Sequence, residues 1–393
     1  MRNQKRLFMQ LGTLLITSFF VLFSPNIFAD EIYNQETTST SIPTKDAMVS
    51  RLQAVLALYQ DAVTHPWPLV PDTGNLLKLG SNNDAVTLLR ERLIRSHDLP
   101  ISDHLSRTFD HPLADAVKLF QARHGLTVDG VVGNDTLNQL NVPADMRVKQ
   151  ILLNMQRWAD LSHRLGHRYV LVNIPEYRLH LVDNDKEVLT IRAIVGKTDW
   201  PTPELSSTIT RIVFNPHWSV PRMIAQNDIV PKMIENPSYL NDNNIRIFNS
   251  EEEGSGEISS DEVDWQGAEE NGFHYHLRQD PGDKNALGLV KFEFQNSQDV
   301  YLHDTPVKSL FSQDKRDLSH GCVRLEKPFD LVAYLIQNDT RMDDGKVKDI
   351  IDTHRTNYFR IKNPIPIYLT YVTAWVDDTG VVNFRDDIYH LDN

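Results

Sequence analysis

The segment LSHGCVRLEKP, residues 318–328, contains Cys322, the only cysteine among the 393 residues of the chain. A lone cysteine cannot form a disulfide bond within its own chain, and many free cysteines are buried thiols that pack as small apolar side chains. The neighbours of Cys322 point to a different role. His320 and Arg324 lie two residues away on either side, and these residue types activate a thiol and hold an anionic substrate.

Composition bounds the classes of protein to which the chain can belong. With 40% hydrophobic and 24% charged residues it resembles an ordinary globular protein, and it is long enough for two or three domains. Its formal net charge of −13 argues against a nucleic-acid partner, because phosphate binding requires clustered lysine and arginine side chains. After residue 30, no uncharged apolar run reaches the length of about 18 residues that a membrane-spanning helix needs.

Residues 1–29 have the layout of a secretory signal peptide. Arg2, Lys5 and Arg6 precede the apolar core LGTLLITSFFVLF, and Ala29 ends the segment before an acidic pair. An uncleaved membrane anchor is the alternative, and in either case the chain is expected to leave the cytoplasm. Exported proteins of oxidising compartments usually pair their cysteines, so an unpaired one is a candidate for intermolecular pairing or for a reactive thiol.

Helical patterns dominate the part of the chain that follows. Residues 30–75 are predicted to be a polar linker and a scaffold helix, and residues 141–165 a further scaffold helix, because apolar side chains recur at helical spacing in both. Between them, residues 76–140 are predicted to form a compact unit of three helices. The scaffold is therefore expected to be all-α, with the compact unit inserted into it.

The three-helix unit carries a motif of its own. Asp84 is the predicted N-cap of its first helix, and Asn134 or Asp135 that of its last. The pattern FQ…GL…DG..G..T is formed by Phe120, Gln121, Gly125, Leu126, Asp129, Gly130, Gly133 and Thr136. This pattern resembles the peptidoglycan-binding domain of the PG_binding_1 type, which implies contact with glycan strands through residues 76–140. The glycines and the threonine also fit a purely structural role in turns and caps.

Residues 166–393 change to short β-branched runs with a period of two, interrupted by a few helices. The stretches DNDK, residues 183–186, and DDTG, residues 377–380, are predicted turns between neighbouring strands. The expected fold class is multidomain α+β, in which a mostly-β domain follows the all-α scaffold and the three-helix domain.

Residues 222–272 are predicted to be an insertion into the β domain, because both flanking segments have the pattern of strands of that domain. The first half, MIAQNDIVPKMIENPSYL, can form short helices with a packing face. The second half, residues 249–271, contains nine acidic residues and no lysine or arginine, and it is expected to be mobile. An insertion of this length beside a reactive site suggests a lid, and a passive surface loop is the alternative.

The residues around Cys322 have the types that thiol chemistry requires. A thiol attacks a carbonyl carbon as the thiolate, so it needs a base and hydrogen-bond donors for the developing oxyanion. His303, at the end of a predicted strand, is the candidate base, and His320 is expected to support the site. The backbone N–H groups of Gly321 and Cys322 are candidates for the oxyanion hole, and Arg324 for a bidentate contact with a substrate carboxylate.

The pattern H…SHGC.R is formed by His303, Ser319, His320, Gly321, Cys322 and Arg324. It resembles the pattern of the L,D-transpeptidase (YkuD) family, and the segments FNPHWSVPRMIAQNDIVPK and YLTYVTAWVDDTG resemble the large Gram-negative branch typified by YcbB. The resemblance covers residues 166–393. It implies that Trp218 and Arg324 hold a peptide stem. It also places Ser319 and Asp304 beside the substrate, Asp304 through its backbone carbonyl.

The resemblance implies a peptidoglycan L,D-transpeptidase that acts in the periplasm and takes part in cell-wall biogenesis and cell shape. Cys322 would attack the carbonyl of a diamino acid in a donor tetrapeptide stem, and D-alanine would leave. The amine of an acceptor stem would then resolve the thioester and form a 3→3 cross-link, with His303 moving the protons. No cofactor and no metal are implied. Carbapenem-type β-lactams are expected to acylate the thiol, and membrane contact is expected only if the N-terminal segment is retained.

Three alternatives remain open. Water could resolve the same acyl-enzyme, which would make the chain a carboxypeptidase or a cross-link-cleaving peptidase. A non-catalytic wall-binding protein would need only residues 76–140. A zinc enzyme would use His274 and His276 together with His303 or Cys322, although no further cysteine, histidine or carboxylate set in the sequence completes the ligands.

Overall fold

The computed structural model describes residues 47–102, 105–252 and 254–392. The predicted signal peptide, residues 1–29, lies outside the described residues, and so does most of the predicted linker. In the described part of the chain, no helix combines the length and the hydropathy that crossing a bilayer requires.

The helices of the described residues are α1 (Met48–Thr64), α2 (Asp84–Arg95), α3 (His111–Arg123), α4 (Asn134–Leu140), α5 (Ala144–Ser162), α6 (Arg222–Ile224), α7 (Val230–Glu235), α8 (Tyr239–Asp242), α9 (Trp265–Asn271), α10 (Pro328–Ile336) and α11 (Asp344–Asp352). The strands are β1 (Arg168–Asn173), β2 (Arg178–Asp183), β3 (Lys186–Gly196), β4 (Leu205–Phe214), β5 (Trp218–Ser219), β6 (Ile245–Phe248), β7 (Glu257–Ile258), β8 (His276–Gln279), β9 (Val290–Phe294), β10 (Leu302–His303), β11 (Asp317–Ser319), β12 (Val323–Leu325), β13 (Asn357–Thr370), β14 (Ala374–Val376) and β15 (Val382–Phe384).

Helices α2, α3 and α4 form the predicted three-helix unit around one apolar core. Two helix starts differ from the predictions by one residue. Asn83, not Asp84, is the N-cap of α2, because its side chain accepts a hydrogen bond from the backbone N–H of Val86 at 3.2 Å. Gly133 precedes α4, and no side chain caps that helix. Capping residues follow one another closely in both segments, so the pattern alone does not fix which one is used.

Gln121 connects the residues of the FQ…GL…DG..G..T motif to one another. Its amide nitrogen donates to Asp129 Oδ1 at 2.8 Å, to the Val131 carbonyl at 2.9 Å and to Thr136 Oγ1 at 3.1 Å. Its amide oxygen accepts from the backbone N–H of Gly130 at 2.8 Å. These motif residues therefore hold the loop between α3 and α4 in place, which satisfies buried polar groups that would otherwise be costly.

The scaffold consists of helices α1 and α5, as predicted, and it packs on the β14–β15 hairpin of the following domain. The hairpin contributes buried side chains such as Trp375 to the same core. Successive side chains of a strand point to opposite faces, and β1 follows this rule. Tyr169 and Leu171 face the scaffold, whereas Val170 and Val172 face the core of the β domain. One strand thus joins the two cores.

The β domain is built on a nine-stranded sheet in the order β11-β3-β12-β10-β9-β4-β13-β1-β2, and an additional pairing of β2 with β3 closes the sheet on itself. Three neighbouring pairs are parallel, namely β1–β13, β10–β12 and β3–β11. Helices α10 and α11 pack against the same core. The two predicted turns are confirmed: one joins β2 to β3, where Asn184 and Asp185 have positive φ values, and the other joins β14 to β15.

The insertion leaves the large sheet after β4 and returns at β9, which is the neighbour of β4 in the sheet. It has a four-stranded sheet of its own, in the order β5-β8-β6-β7, so its structure begins before and ends after the predicted range 222–272. The two flanking segments that were expected to be strands of the β domain are β5 and β8 of this smaller sheet.

The acidic half of the insertion packs on the core of the insertion in its described residues, and its mobility stays a prediction. Its few apolar side chains lie close to the core of the insertion: Val263 and Ala268 are buried, and Trp265 stacks on Phe273 with 5.5 Å between the ring centroids. The acidic side chains occupy the solvent-facing positions between them. The average composition of this segment therefore suggested less packing than the structure shows, because a small core needs only a few well-placed apolar residues.

Candidate active site

Cys322 lies in a tight turn between β11 and β12. Gly321 has a φ of +106°, a conformation that side chains with a Cβ rarely adopt. The hydroxyl of Ser319 donates to the Cys322 carbonyl at 2.5 Å and accepts from the Gly321 N–H at 3.2 Å. The Thr202 hydroxyl donates to the Gly321 carbonyl at 2.8 Å. The sequence SHGC therefore folds into a turn that is fixed by hydrogen bonds on both sides of the thiol.

His303 is the last residue of β10, which runs parallel to β12. The register pairs Leu302 with Val323 and His303 with Arg324. Side chains that are two residues apart on a strand share a face, so His303 and Tyr301 face the same side as Arg324 and Cys322. The two predicted catalytic residues are thus brought together by neighbouring strands.

The imidazole of His303 is held in one orientation. Its Nδ1 lies 2.5 Å from the backbone carbonyl of Asp304, which requires a proton on Nδ1 and leaves Nε2 as the basic nitrogen. Burial lowers the pKa of His303 to about 3, and the positive charges of Arg324 and Lys291 act in the same direction. At neutral pH the ring is therefore a neutral base.

The thiol is also neutral at rest. Burial raises the pKa of Cys322 above its ordinary value, while the backbone and the hydroxyl of Tyr301, together with Lys291 and Arg324, act in the opposite direction. The Sγ atom lies 3.9 Å from the Asp299 carbonyl. A neutral thiol and a neutral imidazole on facing strands are suited to proton transfer at the moment of attack.

Tyr301 and Lys291 belong to the site, although neither was singled out in the sequence. The ring of Tyr301 lies 5.6 Å from that of His303, and its hydroxyl interacts with both Cys322 and Trp218. The ammonium group of Lys291 lies 4.1 Å from the centre of the Tyr301 ring. The position of Tyr301, two residues before the base on a strand, could have identified it. Lys291 reaches the site because β9 pairs antiparallel with β10, and the sequence does not show this pairing.

Trp218 and Arg324, the predicted stem-holding residues, both lie at the site. Trp218 is half-buried and reaches the Tyr301 hydroxyl. Burial lowers the pKa of Arg324, and the negative form of Cys322 would raise it. Among the described residues the guanidinium of Arg324 makes no ion pair, and its Nε is buried without a hydrogen-bond partner. An unpaired cation in this position is available to a substrate carboxylate.

His320 points to the insertion and not to the base. Its Nε2 lies 3.2 Å from Asp228 Oδ2, and its ring packs edge-on against Trp200 at 5.2 Å. Burial lowers the pKa of His320, and the Asp228 carboxylate opposes this shift. Asp228 belongs to the π-helical turn Ala225–Ile229 between α6 and α7. The turn of the nucleophile is thus linked to the inserted subdomain.

Two residues expected beside the substrate have other roles in the structure. Ser319 is buried, and its hydroxyl is used within the nucleophile turn. The carboxylate of Asp304 is buried as well, and it accepts hydrogen bonds from Lys308 Nζ at 2.6 Å and from the Leu289 N–H at 2.9 Å. The Ser319 hydroxyl thus fixes the turn of Cys322, and the Asp304 backbone carbonyl accepts the hydrogen bond from His303 Nδ1.

Of the two predicted oxyanion donors, one already makes a hydrogen bond within the protein. The N–H of Gly321 donates to Ser319 Oγ, whereas the N–H of Cys322 has no partner among the described residues. The neighbouring Tyr301 hydroxyl is a further donor, since burial raises the pKa of Tyr301 well above its ordinary value and keeps it protonated. A developing oxyanion thus has one backbone donor and one side-chain donor in the same region.

The residues that the zinc alternative would use are not gathered into a cluster. His276 Nδ1 lies 3.5 Å from Glu251, and His274 is exposed. In the described ranges, no group of three or more histidine, cysteine, aspartate or glutamate side chains is arranged to hold a metal ion. The HYH motif instead begins strand β8 of the insertion.

Two family models match the chain. Residues 167–347 match the "L,D-transpeptidase catalytic domain" of the YkuD family, and residues 82–140 match the "Putative peptidoglycan binding domain" of the PG_binding_1 type. A "Putative L,D-transpeptidase" of Haemophilus influenzae is 34% identical over 244 residues. The alignment covers 62% of this chain and 48% of that relative, so the chain spans about half the length of the relative.

Solved structures similar to the chain include three L,D-transpeptidases. That of Xylanimonas cellulosilytica is 14% identical over 76% of this chain and 100% of its own, with a TM-score of 0.24. That of Stackebrandtia nassauensis is 13% identical over 77% of this chain and 96% of its own, with a TM-score of 0.26. L,D-transpeptidase 3 of Mycobacterium tuberculosis, in complex with a faropenem-derived adduct, is 13% identical over 52% of this chain and 61% of its own, with a TM-score of 0.24.

Proposed function

We propose that the chain cross-links peptidoglycan through a thioester on Cys322, because residues 167–347 match the L,D-transpeptidase catalytic domain of the YkuD family. The observation that carries this proposal is the pairing of β10 with β12, which brings the neutral, oriented imidazole of His303 and the thiol of Cys322 to one face of the sheet. The peptidoglycan-binding domain, residues 82–140, is consistent with an insoluble wall substrate.

The first half-reaction forms the acyl-enzyme. As Cys322 Sγ attacks the carbonyl carbon of the diamino acid in a donor tetrapeptide stem, His303 Nε2 takes the thiol proton. The Cys322 N–H and the Tyr301 hydroxyl stabilise the negative charge on the carbonyl oxygen. The same imidazole then gives its proton to the departing amine, so that D-alanine leaves and a thioester remains.

The second half-reaction transfers the acyl group. The side-chain amine of a diamino acid in an acceptor stem attacks the thioester carbonyl, and His303 accepts its proton as the amide forms. Cys322 is released as the thiol, and the product is a 3→3 cross-link. The unpaired guanidinium of Arg324 is suited to hold a carboxylate of a stem peptide during both steps.

The inserted subdomain is proposed to act as a lid over the thioester. The contact between Asp228 and His320 connects it to the turn of the nucleophile, and Trp218 connects it to Tyr301. A lid in this position would restrict water while the acceptor amine binds. Hydrolysis of the same thioester is the competing outcome, and it would make the chain a carboxypeptidase.

Mass spectrometry of soluble wall fragments tests the proposal. The full chain is incubated with disaccharide-tetrapeptide fragments, and Cys322→Ser is the matched control. A cross-linked dimer that lacks one D-alanine, formed only with the unaltered chain, is the expected result. Tripeptide alone would show a carboxypeptidase, and unchanged fragments would show that the proposed activity is wrong. Wall-directed activity also implies action outside the cytoplasm, which cell fractionation would check.

A further inference from the structure

Three arginines are buried where helices α1, α2, α3 and α5 converge, away from the active site. Arg92 of α2 is 4% exposed, and Arg123 of α3 and Arg147 of α5 are each 6% exposed. Tyr59 of α1 is 2% exposed and is an electrostatic neighbour of all three guanidinium groups. Buried charges are costly unless each one is paired and hydrogen-bonded, so the partners of these arginines matter.

Only Arg123 has a carboxylate partner in direct contact. Its Nε and Nη2 atoms form a bidentate ion pair with Asp98, with both distances at 2.6 Å. Arg92 donates from Nε to the Leu140 carbonyl at 2.8 Å, and its guanidinium stacks 4.0 Å above the ring of Trp67. Neither of these contacts of Arg92 neutralises its charge.

Arg147 is held by neutral amides. It donates to Gln150 Oε1 at 2.8 Å and to Gln139 Oε1 at 2.5 Å. The carboxylate of Asp386 reaches it only through Gln139, whose amide nitrogen lies 2.6 Å from Asp386 Oδ1. Among the described residues, three guanidinium groups therefore share one carboxylate in ion-pair contact, that of Asp98.

Two donors in this group have no partner. The Nη1 atoms of Arg92 and of Arg123 are both buried, and neither makes a hydrogen bond of good length and angle to any described residue, although the Tyr59 hydroxyl is a side-chain neighbour of Arg123. A buried donor without an acceptor costs about 1–3 kcal/mol in proteins. Two such donors on two neighbouring cations define a place where one anion would satisfy both the hydrogen bonds and the excess charge.

We propose that this junction binds a small inorganic anion of the size and charge of chloride, held by Nη1 of Arg92, Nη1 of Arg123 and the hydroxyl of Tyr59. The surrounding side chains favour a small ion, because Tyr59, Phe120 and both arginines are almost completely buried. The charge excess favours a single negative charge. Since α2 and α3 belong to the peptidoglycan-binding domain and α1 to the scaffold, the anion ties these two parts together.

Thermal unfolding of the full chain at constant ionic strength tests the site. A ligand that binds only the folded state stabilises it in proportion to the logarithm of its concentration. When chloride replaces gluconate, the unfolding midpoint should rise by about 2 °C or more for each tenfold increase. Bromide should act in the same way, whereas gluconate is too large to enter. An unfolding midpoint that is independent of chloride would overturn the proposal.

A matched pair of variants locates the effect. Arg92→Met removes one unpartnered donor and its charge, and it should abolish the dependence on chloride. Arg90→Met is the control, because Arg90 lies on the same helix and is about equally buried, but its charge is paired with Asp110 at 2.9 Å. Its Nε lacks a partner among the described residues as well, so this variant also removes a buried unpartnered donor outside the proposed site. This control should keep the dependence on chloride. Retention of the full effect by Arg92→Met, or its equal loss in both variants, would contradict the assignment.

Bromide in crystals of the unaltered chain provides a readout that does not depend on a variant folding. Its anomalous scattering locates the ion directly. A peak within hydrogen-bond distance of Nη1 of both Arg92 and Arg123 is the expected result. Peaks confined to the surface of the molecule would refute the site, even if chloride stabilised the chain.

Discussion

Cys322 and His303 are both neutral at rest, and this determines how the proposed reaction starts. The low pKa of His303, about 3, and the raised pKa of Cys322 both disfavour a resting thiolate–imidazolium pair. Their burial is the main cause in each case. In the proposed reaction the proton therefore moves as the substrate carbonyl is attacked, and the thiolate–imidazolium pair exists only while the oxyanion donors stabilise it.

Replacement of the nucleophile is the most direct test of this chemistry. Cys322→Ser should abolish turnover without loss of folding, because a hydroxyl is nearly isosteric with a thiol but far harder to ionise. The unaltered chain should also gain the mass of a carbapenem-type β-lactam in an intact-mass measurement. Substantial cross-linking by the folded serine variant would refute the assignment of the nucleophile.

The two histidines near Cys322 should differ in importance. His303→Ala should slow acylation of the thiol by about 10²–10⁴-fold, the usual value of general-base catalysis. His320→Ala should cost less, because its imidazole contacts Asp228 and Trp200 and not the base. Single-turnover acylation by a small β-lactam measures both variants. The reverse order of losses would identify His320 as the base.

The pH dependence of acylation follows from the lowered pKa of His303. Because the imidazole keeps its basic form down to about pH 3, the acylation rate should be nearly constant between about pH 5 and pH 7. An imidazole with the ordinary pKa of about 6.5 would instead lose about tenfold in rate for each pH unit below that value. Circular dichroism at pH 5 provides the control for folding. A rate that declines with a midpoint near pH 6.5 would contradict a buried neutral base.

The sequence singled out Cys322, His303 and Arg324 because these residues lie in short local patterns, and their catalytic roles stay predictions. It did not predict Lys291 or Asp228, since both reach the site from elsewhere in the chain, one through the pairing of β9 with β10 and the other from the insertion. It also assigned Ser319 to the substrate. Residue type alone does not reveal that this hydroxyl faces inwards and holds the nucleophile turn.

The insertion shows how secondary-structure elements, and not single residues, control the neighbourhood of the thiol. Its sheet places Trp218 of β5 against Tyr301, and its π-helical turn places Asp228 against His320. The sequence predicted short helices in the first half of the insertion, and α6, α7 and α8 lie there, but the insertion extends beyond the predicted range 222–272. The sequence did not show how the acidic half packs, because the charges obscure a few apolar residues that lie together, as Trp265 and Phe273 do.

The contact between the insertion and the nucleophile turn can be broken with a single substitution. Asp228→Asn removes the charge that faces His320 but preserves the shape of the side chain. Because the pKa of His320 is lowered, its imidazole is largely neutral at neutral pH, and the contact is a hydrogen bond to a carboxylate and not an ion pair. A hydrogen bond contributes about 0.5–1.5 kcal/mol, so the ratio of cross-linked to hydrolysed product should fall by up to about tenfold. Acylation by a small β-lactam should be unaffected, since it requires no acceptor.

Asp261→Asn is the control for that experiment, because Asp261 is an exposed residue of the same subdomain and makes no contact with the nucleophile turn. Mass spectrometry of the product mixture measures both variants. An unchanged product ratio in Asp228→Asn, with acylation intact, would show that the contact does not govern the fate of the thioester.

The three-helix unit, residues 76–140, contacts the rest of the molecule more than its sequence indicated. Residues 76–140 were predicted as a separate unit, yet the hydroxyl of Thr127 donates to Asp314 near the nucleophile turn, and Arg385 donates to the Arg123 carbonyl at 3.2 Å. These partners are 187 and 262 residues apart along the chain. Patterns within a short window cannot reveal such contacts, although they identify the unit itself.

Gly125 is the position where this docking can be tested. It has a φ of +68°, and a Cβ atom there would lie 2.8 Å from Cδ and Nε of Arg385. The Arg385 side chain cannot move away easily, because it is buried and bonded to the Arg123 and Phe384 carbonyls. Gly125→Ala should therefore force the peptidoglycan-binding domain away from the β14–β15 hairpin.

Gly74→Ala separates this clash from the backbone cost, because Gly74 has nearly the same φ, +71°, but no atom lies within 4 Å of its Cβ position. Both variants place an alanine at a positive φ, which lowers the free energy of unfolding by a similar amount in each. Only Gly125→Ala also overpacks a neighbour. Overpacking costs about 1–3 kcal/mol, so the free energy of unfolding should fall by that much more in Gly125→Ala than in Gly74→Ala. Chemical denaturation of the full chain measures the difference. Equal losses in the two variants would show that Arg385 does not hold the domain in place, and that its docking rests on the other contacts.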